Sequence, residues 1–237
     1  MKFLKKKKYQ KLLEADQTLD ELFHVICKGI EGREYSKSQL GQDLIALLVN
    51  SMKKNGYFVE FGATNGFDLS NTYLLEKFYG WDGILVEPVQ FWHEGLLKNR
   101  ECIIDLRCVT STSGQLIDFI VAKDPELSTI FGFEGLDNHA NSRENSEKVS
   151  VQTVSLTDLL EEYSAPEQID YLSIDTEGSE FDILKGFNFS KYRFNFISVE
   201  HNYTNNRLKL NDLLTTNGYR QILPALSKFD DWYIYVS

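Results

Sequence analysis

The ten residues YFVEFGATNG, from Tyr57 to Gly66, decide how the rest of this 237-residue sequence is interpreted. Their first half is short, apolar and rich in residues that favour strands, and two glycines four residues apart follow it. Glycine allows the backbone to turn sharply and lets a ligand approach without an intervening side chain. The spacing differs from the G-x-G-x-x-G pattern of dinucleotide-binding proteins, and Glu60 would repel a phosphate but suit a cation. The stretch predicts a strand that leads into either a ligand-binding loop or a purely structural tight turn.

The sequence on both sides of this stretch alternates between helical and strand patterns. Apolar residues at helical spacing that end at a glycine indicate helices, and short β-branched runs indicate strands. Such alternation predicts one α/β domain with a doubly wound, mostly parallel sheet covered by helices on both faces. The predicted helices include Gln42–Lys54, Leu69–Tyr79, Leu156–Tyr163, Glu180–Lys185 and Leu208–Thr216. The predicted strands are Tyr57–Phe61, Gly83–Val86, Cys102–Leu106, Ile169–Ile174, Asn195–Glu200, Tyr219–Leu223 and Trp232–Val236, with an added hairpin of Leu116–Val121 and Val149–Val154.

The charge balance is acidic and uneven. The chain has 35 Asp and Glu against 25 Lys and Arg, for a formal net charge of −10, yet six lysines fall within the first eleven residues. The remaining chain is therefore strongly acidic, which argues against a nucleic-acid-binding surface because such a surface needs clustered cations. We accordingly divide the sequence into a basic N-terminal helical extension, residues 1–37, and an α/β domain, residues 38–237.

The lysine-rich start allows two interpretations. It could form a short helix that rests weakly on an anionic membrane surface, or it could be a solvated, frayed segment. No apolar run approaches the roughly 20 residues that cross a bilayer, and no secretory signal follows the lysines. The three cysteines include no CxxC pair, so neither a disulfide framework nor a zinc site is indicated. We therefore expect a cytoplasmic protein without a transmembrane segment.

Acidic residues stand where three further predicted strands end, and in a doubly wound sheet these ends border the ligand site. Glu87 follows the second strand and could accept the hydroxyls of a ribose. Asp175 and Glu177 follow a later strand, and Glu200 ends the next one. Carboxylates this close repel one another unless a hard metal ion, a cationic cofactor, a hydrogen-bond donor or a proton lies among them. His201, directly after Glu200, is a candidate base.

Three segments together resemble the FkbM-type S-adenosylmethionine-dependent methyltransferases. They are Glu60–Gly66, Leu85–Pro88 and Ile174–Glu180, and the D-x-E-G-x-E element of the last is the most specific. Ser38–Asp43 also resembles the opening motif of that family. The resemblance implies a seven-stranded class I methyltransferase fold, which is Rossmann-like, with the final strand antiparallel. It further implies S-adenosylmethionine as cofactor and hydroxyl oxygens, often of sugars or polyketide-derived products, as methyl acceptors.

Carried onto this sequence, the resemblance assigns residues to each part of the cofactor. The methionine part is surrounded by the glycine loop and the acid before it, the ribose is bound at the second strand, and the candidate for the adenine edge lies near the end of the third. Two polar residues after the glycine loop help to close the site. The residues implied to bind S-adenosylmethionine are Glu60, Gly62, Gly66, Ser70, Asn71, Glu87 and Asp105.

An acceptor hydroxyl is a poor nucleophile until its proton is taken up. Either His201 takes it beside Asp175 and Glu200, or Mg²⁺ or Mn²⁺ held by Asp175, Glu177 and Glu200 lowers the pKa of the hydroxyl. The predicted function is O-methyl transfer from S-adenosylmethionine to a small molecule, most simply a sugar or glycan. The polar stretch Asp124–Lys148 is predicted to be a lid over the acceptor. Two alternatives stay open: a noncatalytic sugar- or cation-binding module, and a nicotinamide-dependent oxidoreductase, against which the missing G-x-G-x-x-G counts.

Overall fold

The computed structural model describes residues 21–133, 143, 146–204 and 206–236. Its strands are β1 Tyr57–Phe61, β2 Asp82–Val86, β3 Ile103–Asp105, β4 Cys108–Thr110, β5 Leu116–Val121, β6 Thr129–Ile130, β7 Glu147–Ser155, β8 Gln168–Ile174, β9 Arg193–Glu200, β10 Tyr219–Ile222 and β11 Asp230–Tyr235. Its helices are α1 over residues 21–28, α2 Gln42–Val49, α3 Tyr73–Lys77, α4 Gln90–Asn99, α5 Leu156–Glu162, α6 Glu180–Lys185 and α7 Asn206–Thr216.

The central sheet has seven strands in the order β3-β2-β1-β8-β9-β11-β10. The neighbouring pairs from β3 to β9 are parallel, whereas β11 is antiparallel to both β9 and β10. The doubly wound α/β fold predicted from the sequence is confirmed, as a mixed sheet in which β11 runs against its neighbours. Because the chain moves from β1 outward to β3 and then returns to β8, the strand order reverses between β1 and β8.

Both faces of this sheet are buried under helices. Successive side chains of a strand point to opposite faces, so Phe58 and Val59 of β1 enter different core clusters. Val59 packs in a cluster with Leu159 of α5, and Phe58 packs in a cluster with Leu47 of α2. All four side chains are fully buried. This double burial is the reason that the central strands are continuous apolar runs rather than alternating ones.

A second sheet of four strands, in the order β4-β7-β5-β6, inserts between β3 and α5. The predicted hairpin pairing is confirmed, since β5 lies antiparallel to β7 with Leu116 opposite Gln152. Phe119 of this sheet packs with Val89 and Cys108, which follow β2 and β3. The second sheet therefore lies against the carboxyl-terminal edge of the central sheet, next to the strand ends that the sequence marked.

The described part of the N-terminal extension packs onto the domain. Cys27 and Ile30 are buried in the same core cluster as α2 and α3. Tyr35 stacks on Phe78 with ring centroids 5.6 Å apart. Residues 1–20, which include the predicted membrane-contacting lysines, lie outside the described residues. Among the helices that are described, none has the length and apolar character to cross a membrane.

Two predicted helices are shorter in the structure. The one expected over Leu69–Tyr79 begins only at Tyr73, because Leu69 has a positive φ of 57° and the backbone N–H of Asn71 donates to the Glu60 carboxylate instead of continuing a helix. The one expected over Gln42–Lys54 ends at Val49. There the side chain of Asn50 donates to the backbone carbonyl of Asp170 in β8, which ties the end of the helix to the sheet.

Candidate active site

A cavity of about 370 Å³ opens at the carboxyl ends of the parallel strands, where the strand order reverses. The ends of β1, β2, β8 and β9 form its floor, and the second sheet and the segment after β5 form one wall. The beginning of the predicted lid, from Pro125 to Ser128, lines this wall, while residues 134–142 and 144–145 lie outside the described residues. Most of the predicted site residues lie here: Glu60, Gly62, Ser70, Asn71, Glu87, Asp175, Glu177 and Glu200.

The two glycines of the first loop serve different contacts. Gly62 lines the cavity with a φ of 74°, and a Cβ there would collide with the backbone carbonyl oxygen of Asp175. Gly66 also has a positive φ, but a Cβ there would meet Arg100 and Leu96 at 2.6 and 2.7 Å. Gly62 thus allows the β1 and β8 loops to approach closely, and Gly66 allows the loop to pack on α4.

Glu60 is buried and fully surrounded by donors. Its Oε1 accepts a hydrogen bond of 2.7 Å from the backbone N–H of Asn71, and its Oε2 accepts bonds from the hydroxyls of Ser70 and Thr72. Burial raises the pKa of Glu60, and the Arg100 guanidinium, 3.8 Å away, opposes that rise. Glu60 therefore holds the segment 70–72 in place at the edge of the cavity.

Arg100 is the central cation of this network, and sequence reasoning missed it. Its side chain is completely buried, donates to Glu76 at 2.5 Å and to Thr72 at 2.8 Å, and also reaches the backbone carbonyl of Gly66. The signal available in the sequence was indirect: a buried Glu60 requires a donor or a cation, but nothing local indicates which residue supplies it.

Ser70 and Asn71 line the cavity, where the resemblance implied them. The side-chain amide of Asn71 donates to Ser173 Oγ at 2.9 Å, which joins the segment after the glycine loop to the end of β8. Ser173 continues through Ser198 to Tyr171 in a buried row of hydroxyl contacts. The row connects β8 and β9 beneath the cavity and so stabilises the shape of its floor.

Glu87 lies at the end of β2, and its carboxylate is held by backbone donors. Oε2 accepts a bond of 2.9 Å from the N–H of Thr64, and Oε1 accepts one of 2.8 Å from the N–H of Val89. Burial raises the pKa of Glu87 to about 7, although both bonds oppose the rise. Each oxygen retains a second acceptor direction, which is what two vicinal hydroxyls of a ribose require.

Asp105 does not reach the cavity, which corrects its expected role at the adenine edge. Its carboxylate is buried and pairs with Arg107 at 2.5 Å, and it also accepts from the hydroxyl of Tyr163. These contacts lower its pKa against the effect of burial. The first residues after β3 that line the cavity are Cys108 and Val109, whose apolar surfaces suit the face of a planar ring better than a carboxylate does.

Asp175, Glu177 and Glu200 converge at the other end of the cavity. One side-chain oxygen of each lies within 4.8 Å of the others. Burial and the nearby Asp175 raise the pKa of Glu200 above its ordinary value, and the side chains of Glu200 and Asp175 are hydrogen-bonded to each other. Asn202 also donates to Glu200 at 2.8 Å, and Arg143 pairs with Glu177 at 2.9 Å.

This cluster was predicted to hold Mg²⁺ or Mn²⁺, and its oxygens are of the type that such ions prefer. Glu177 is paired with the buried guanidinium of Arg143, however, and Asp175 and Glu200 are hydrogen-bonded to each other. Part of the negative charge is thus balanced from within the chain. The expectation of a divalent metal is not supported.

His201 lies outside the cavity, which corrects its expected role as the base. Its side chain is completely buried, its Nδ1 accepts a bond of 2.9 Å from the backbone N–H of Tyr203, and its Nε2 lies 3.7 Å from Asp231. Burial lowers its pKa. The neighbouring Glu200 and Asn202 point into the cavity instead, so proximity in sequence did not place His201 at the reaction site.

Asp230 and Gln42 line the cavity although they were not predicted site residues. Asp230 begins β11 and lies opposite Glu200 in the sheet register. Gln42 begins α2 and donates to Asp230 Oδ2 at 2.9 Å. Gln42 falls within the opening motif noted in the sequence, whereas an acid before an apolar strand is too common a pattern to single out Asp230.

The strand order with its antiparallel β11, together with the cavity at the reversal between β1 and β8, defines the class I methyltransferase-like α/β fold. Residues 60–233 match the family described as Methyltransferase FkbM domain, and the chain belongs to this family. The resemblance stated from the sequence motifs is thereby confirmed. Among curated protein sequences, none matches the chain significantly.

Several solved structures are similar in fold. A methyltransferase FkbM from Methylobacillus flagellatus KT has 15% identity and a TM-score of 0.47, over 76% of this chain and 44% of that one. An O-methyltransferase from Bacillus cereus, in complex with SAH, has 15% identity and a TM-score of 0.42, over 92% of this chain and 89% of that one. A precorrin-6y C5,15-methyltransferase from Geobacter metallireducens GS-15 has 10% identity and a TM-score of 0.41, over 82% and 81%. This chain thus spans less than half the length of the Methylobacillus protein.

Proposed function

We propose that this protein transfers a methyl group from S-adenosylmethionine to a hydroxyl oxygen of a sugar or glycan. The observation that carries the proposal is Glu87: a buried carboxylate at the end of β2 whose two oxygens are oriented by the N–H groups of Thr64 and Val89 and face a cavity at the strand reversal. A ribose fits this arrangement, because it offers two adjacent hydroxyl donors. Membership of the FkbM family supports the same reaction class.

The cavity divides into two ends under this proposal. The cofactor end comprises Glu60, Gly62, Ser70, Asn71 and Glu87, around the carboxyl ends of β1 and β2. The acceptor end comprises Asp175, Glu177, Glu200 and Asp230, around the ends of β8 and β9 and the start of β11. The volume of the cavity, about 370 Å³, lies within the range of small-molecule sites, which begins at about 300 Å³.

When bound, S-adenosylmethionine supplies an electrophilic methyl group on a sulfonium cation. The chain's part is to hold the acceptor oxygen in line with that group, to exclude water and to receive the hydroxyl proton. The acidic character of the wall favours a cationic cofactor and a neutral acceptor. Within the described residues the cavity lining contains eight Asp and Glu side chains and no Lys, Arg or His side chain, so phosphorylated or carboxylated acceptors are disfavoured.

Calorimetric titration with S-adenosylhomocysteine tests the cofactor, with NADH as the negative control. We expect micromolar binding of S-adenosylhomocysteine, unchanged by a chelator, and no binding of NADH. Transfer of a labelled methyl group from S-adenosylmethionine to a panel of neutral methyl glycosides tests the reaction. Cofactor binding without transfer to any hydroxyl acceptor would reject the enzyme and favour a binding module, and absence of cofactor binding would reject both.

A further inference from the structure

Asp230 lies on the cavity wall at the acceptor end, and the binding of the cofactor gives it no role. It is the first residue of β11, and its side chain is nearly buried, with 4% of the residue exposed. Because β11 is antiparallel, its beginning lies at the same sheet edge as the ends of β8 and β9. This topology is what brings a residue so late in the sequence to the site.

The two carboxylate oxygens of Asp230 are in different surroundings. Oδ2 accepts a bond of 2.9 Å from the side-chain amide of Gln42 and one of 3.3 Å from the indole N–H of Trp232. Gln42 is itself oriented, since its Oε1 accepts from the backbone N–H of Leu40. No donor within the described residues reaches Oδ1 of Asp230. One oxygen is thus anchored, and the other is left toward the cavity.

Most of the other carboxyls of the cavity are held by contacts with the chain. Both oxygens of Glu87 accept from backbone N–H groups. Those of Glu60 accept from the backbone N–H of Asn71 and from the hydroxyls of Ser70 and Thr72. Glu177 pairs with the buried Arg143. Glu200 and Asp175 are hydrogen-bonded to each other, and Glu200 also accepts from Asn202. The remaining lining acids, Asp68 and Glu126, are exposed to solvent.

We propose that Asp230 is the catalytic base of the reaction, receiving the acceptor hydroxyl proton on Oδ1 while Gln42 and Trp232 fix Oδ2. This inference rests on the proposed function. As the acceptor oxygen forms its bond to the methyl carbon, the carbon–sulfur bond breaks and its electron pair stays on sulfur. The hydroxyl proton passes to Oδ1, so the products are a methyl ether, neutral S-adenosylhomocysteine and protonated Asp230, which then loses the proton to solvent.

The charge surroundings of Asp230 agree with this assignment. Burial, with the nearby Asp175 and Asp231, raises its pKa to about 7, and the bonds from Gln42 and Trp232 limit the rise. A carboxyl with a pKa near the operating pH is both available as a carboxylate and basic enough to take a proton in the transition state. An ordinary surface aspartate would be a much weaker base.

The test compares Asp230→Asn with Asp231→Asn, two isosteric changes at adjacent residues. Asp231 pairs with Arg207 at 2.7 Å and does not line the cavity, so it reports on structural damage at the same place in β11. We expect Asp230→Asn to lower kcat for methyl transfer about 10²-fold or more while the Kd for S-adenosylhomocysteine stays within about threefold. We expect folded Asp231→Asn to retain kcat within about twofold, since no proton passes through it and its charge contributes less than burial and Asp175 to the raised pKa of Asp230.

A pH profile separates a catalytic from a structural role. Wild-type kcat should rise as the pH increases through about 7, because Asp230 must be ionised to act, and the residual rate of Asp230→Asn should lack this step. Unchanged kcat in Asp230→Asn, or an equal loss in both variants, would overturn the assignment and leave the proposed function standing. If the wild-type protein binds S-adenosylhomocysteine but transfers no methyl group to any hydroxyl acceptor, both proposals fail.

Discussion

The two ends of the cavity carry the same kind of residue, acids at the ends of strands, and use them differently. At the cofactor end, Glu60 and Glu87 accept hydrogen bonds from the backbone of the loops they support, and Arg100 faces Glu60 from the core. At the acceptor end, donors are fewer: Glu200 is hydrogen-bonded to another acid, Asp175, and Asp230 keeps one oxygen toward the cavity. An acid at a strand end thus stabilises a loop when donors surround its carboxylate. It can accept a proton when one of its oxygens has no donor.

The cofactor end should depend most strongly on Arg100. Arg100→Met removes the buried cation that faces two carboxylates, so we expect the free energy of unfolding to fall by about 3–5 kcal/mol. Urea denaturation measures it. Lys77→Met is the matched control, because Lys77 also pairs with Glu76 but its side chain is 23% exposed; its loss should cost less than about 1 kcal/mol. Equal losses in the two variants would contradict a structural network centred on Arg100.

Gly62 tests the close contact between the loop after β1, at the cofactor end, and the loop after β8, at the acceptor end. Gly62→Ala introduces a methyl group against the Asp175 carbonyl as well as an unfavourable φ, so we expect a destabilisation of about 3 kcal/mol and weaker cofactor binding. Gly114→Ala has the same φ of 74° with nothing within 4 Å of the added Cβ. It should cost only about 1–2 kcal/mol, the conformational part alone. Thermal unfolding of both variants shows whether the additional loss at Gly62 exists.

Removing an acid should weaken cofactor binding at the cofactor end and leave it nearly unchanged at the acceptor end. Glu87→Gln replaces a charged acceptor of the ribose hydroxyls, so we expect the Kd for S-adenosylhomocysteine to rise about tenfold, as for loss of a hydrogen bond to a charged group. Glu200→Gln is an isosteric change at the acceptor end, away from the ribose, so the Kd should change less than about twofold. Calorimetry with both variants decides this; a tenfold effect at Glu200 would mean that the assignment of the two ends is wrong.

The smallest expected effect is a pH dependence at the cofactor end. The pKa of Glu87 is raised from 4.5 to about 7, so its carboxylate form grows between pH 6 and 8. Affinity for S-adenosylhomocysteine should therefore increase a few-fold over that interval in the wild-type protein and stay flat in Glu87→Gln. The unliganded protein should lose stability as the pH rises from about 4.5 to about 7, because the folded state binds this proton more tightly than the unfolded chain. A flat wild-type binding profile would contradict the role of Glu87.

Much of the fold could be predicted because its signals are local. The apolar stretches and glycine stops predicted the central strands and most helices, and the pairing of β5 with β7 was also predicted. The sequence did not predict that α3 begins only at Tyr73. Ser70 and Asn71, which precede it, hydrogen-bond to Glu60 instead of forming a first helical turn. A side chain ten residues away overrode local helical spacing there.

The candidate site was also predicted only in part from the sequence. The ends of β1, β2, β8 and β9 were predicted, and their acids line one cavity. His201 and Asp105 do not line it, because their side chains are held elsewhere: His201 Nδ1 accepts from the backbone N–H of Tyr203, and Asp105 pairs with Arg107 and accepts from Tyr163. Such side-chain orientations cannot be predicted from the strand pattern.

By itself, the sequence determined the fold class, the family and which strand ends carry acids, since strand order and motif spacing are properties of short stretches. Only the tertiary structure decided what each acid does. The partners that satisfy or spare a carboxylate come from distant elements, as when Gln42 donates to Asp230 across 188 residues of sequence. Such pairs are set by how helices pack on the sheet, and a buried carboxylate becomes structural or reactive according to the donors that this packing supplies.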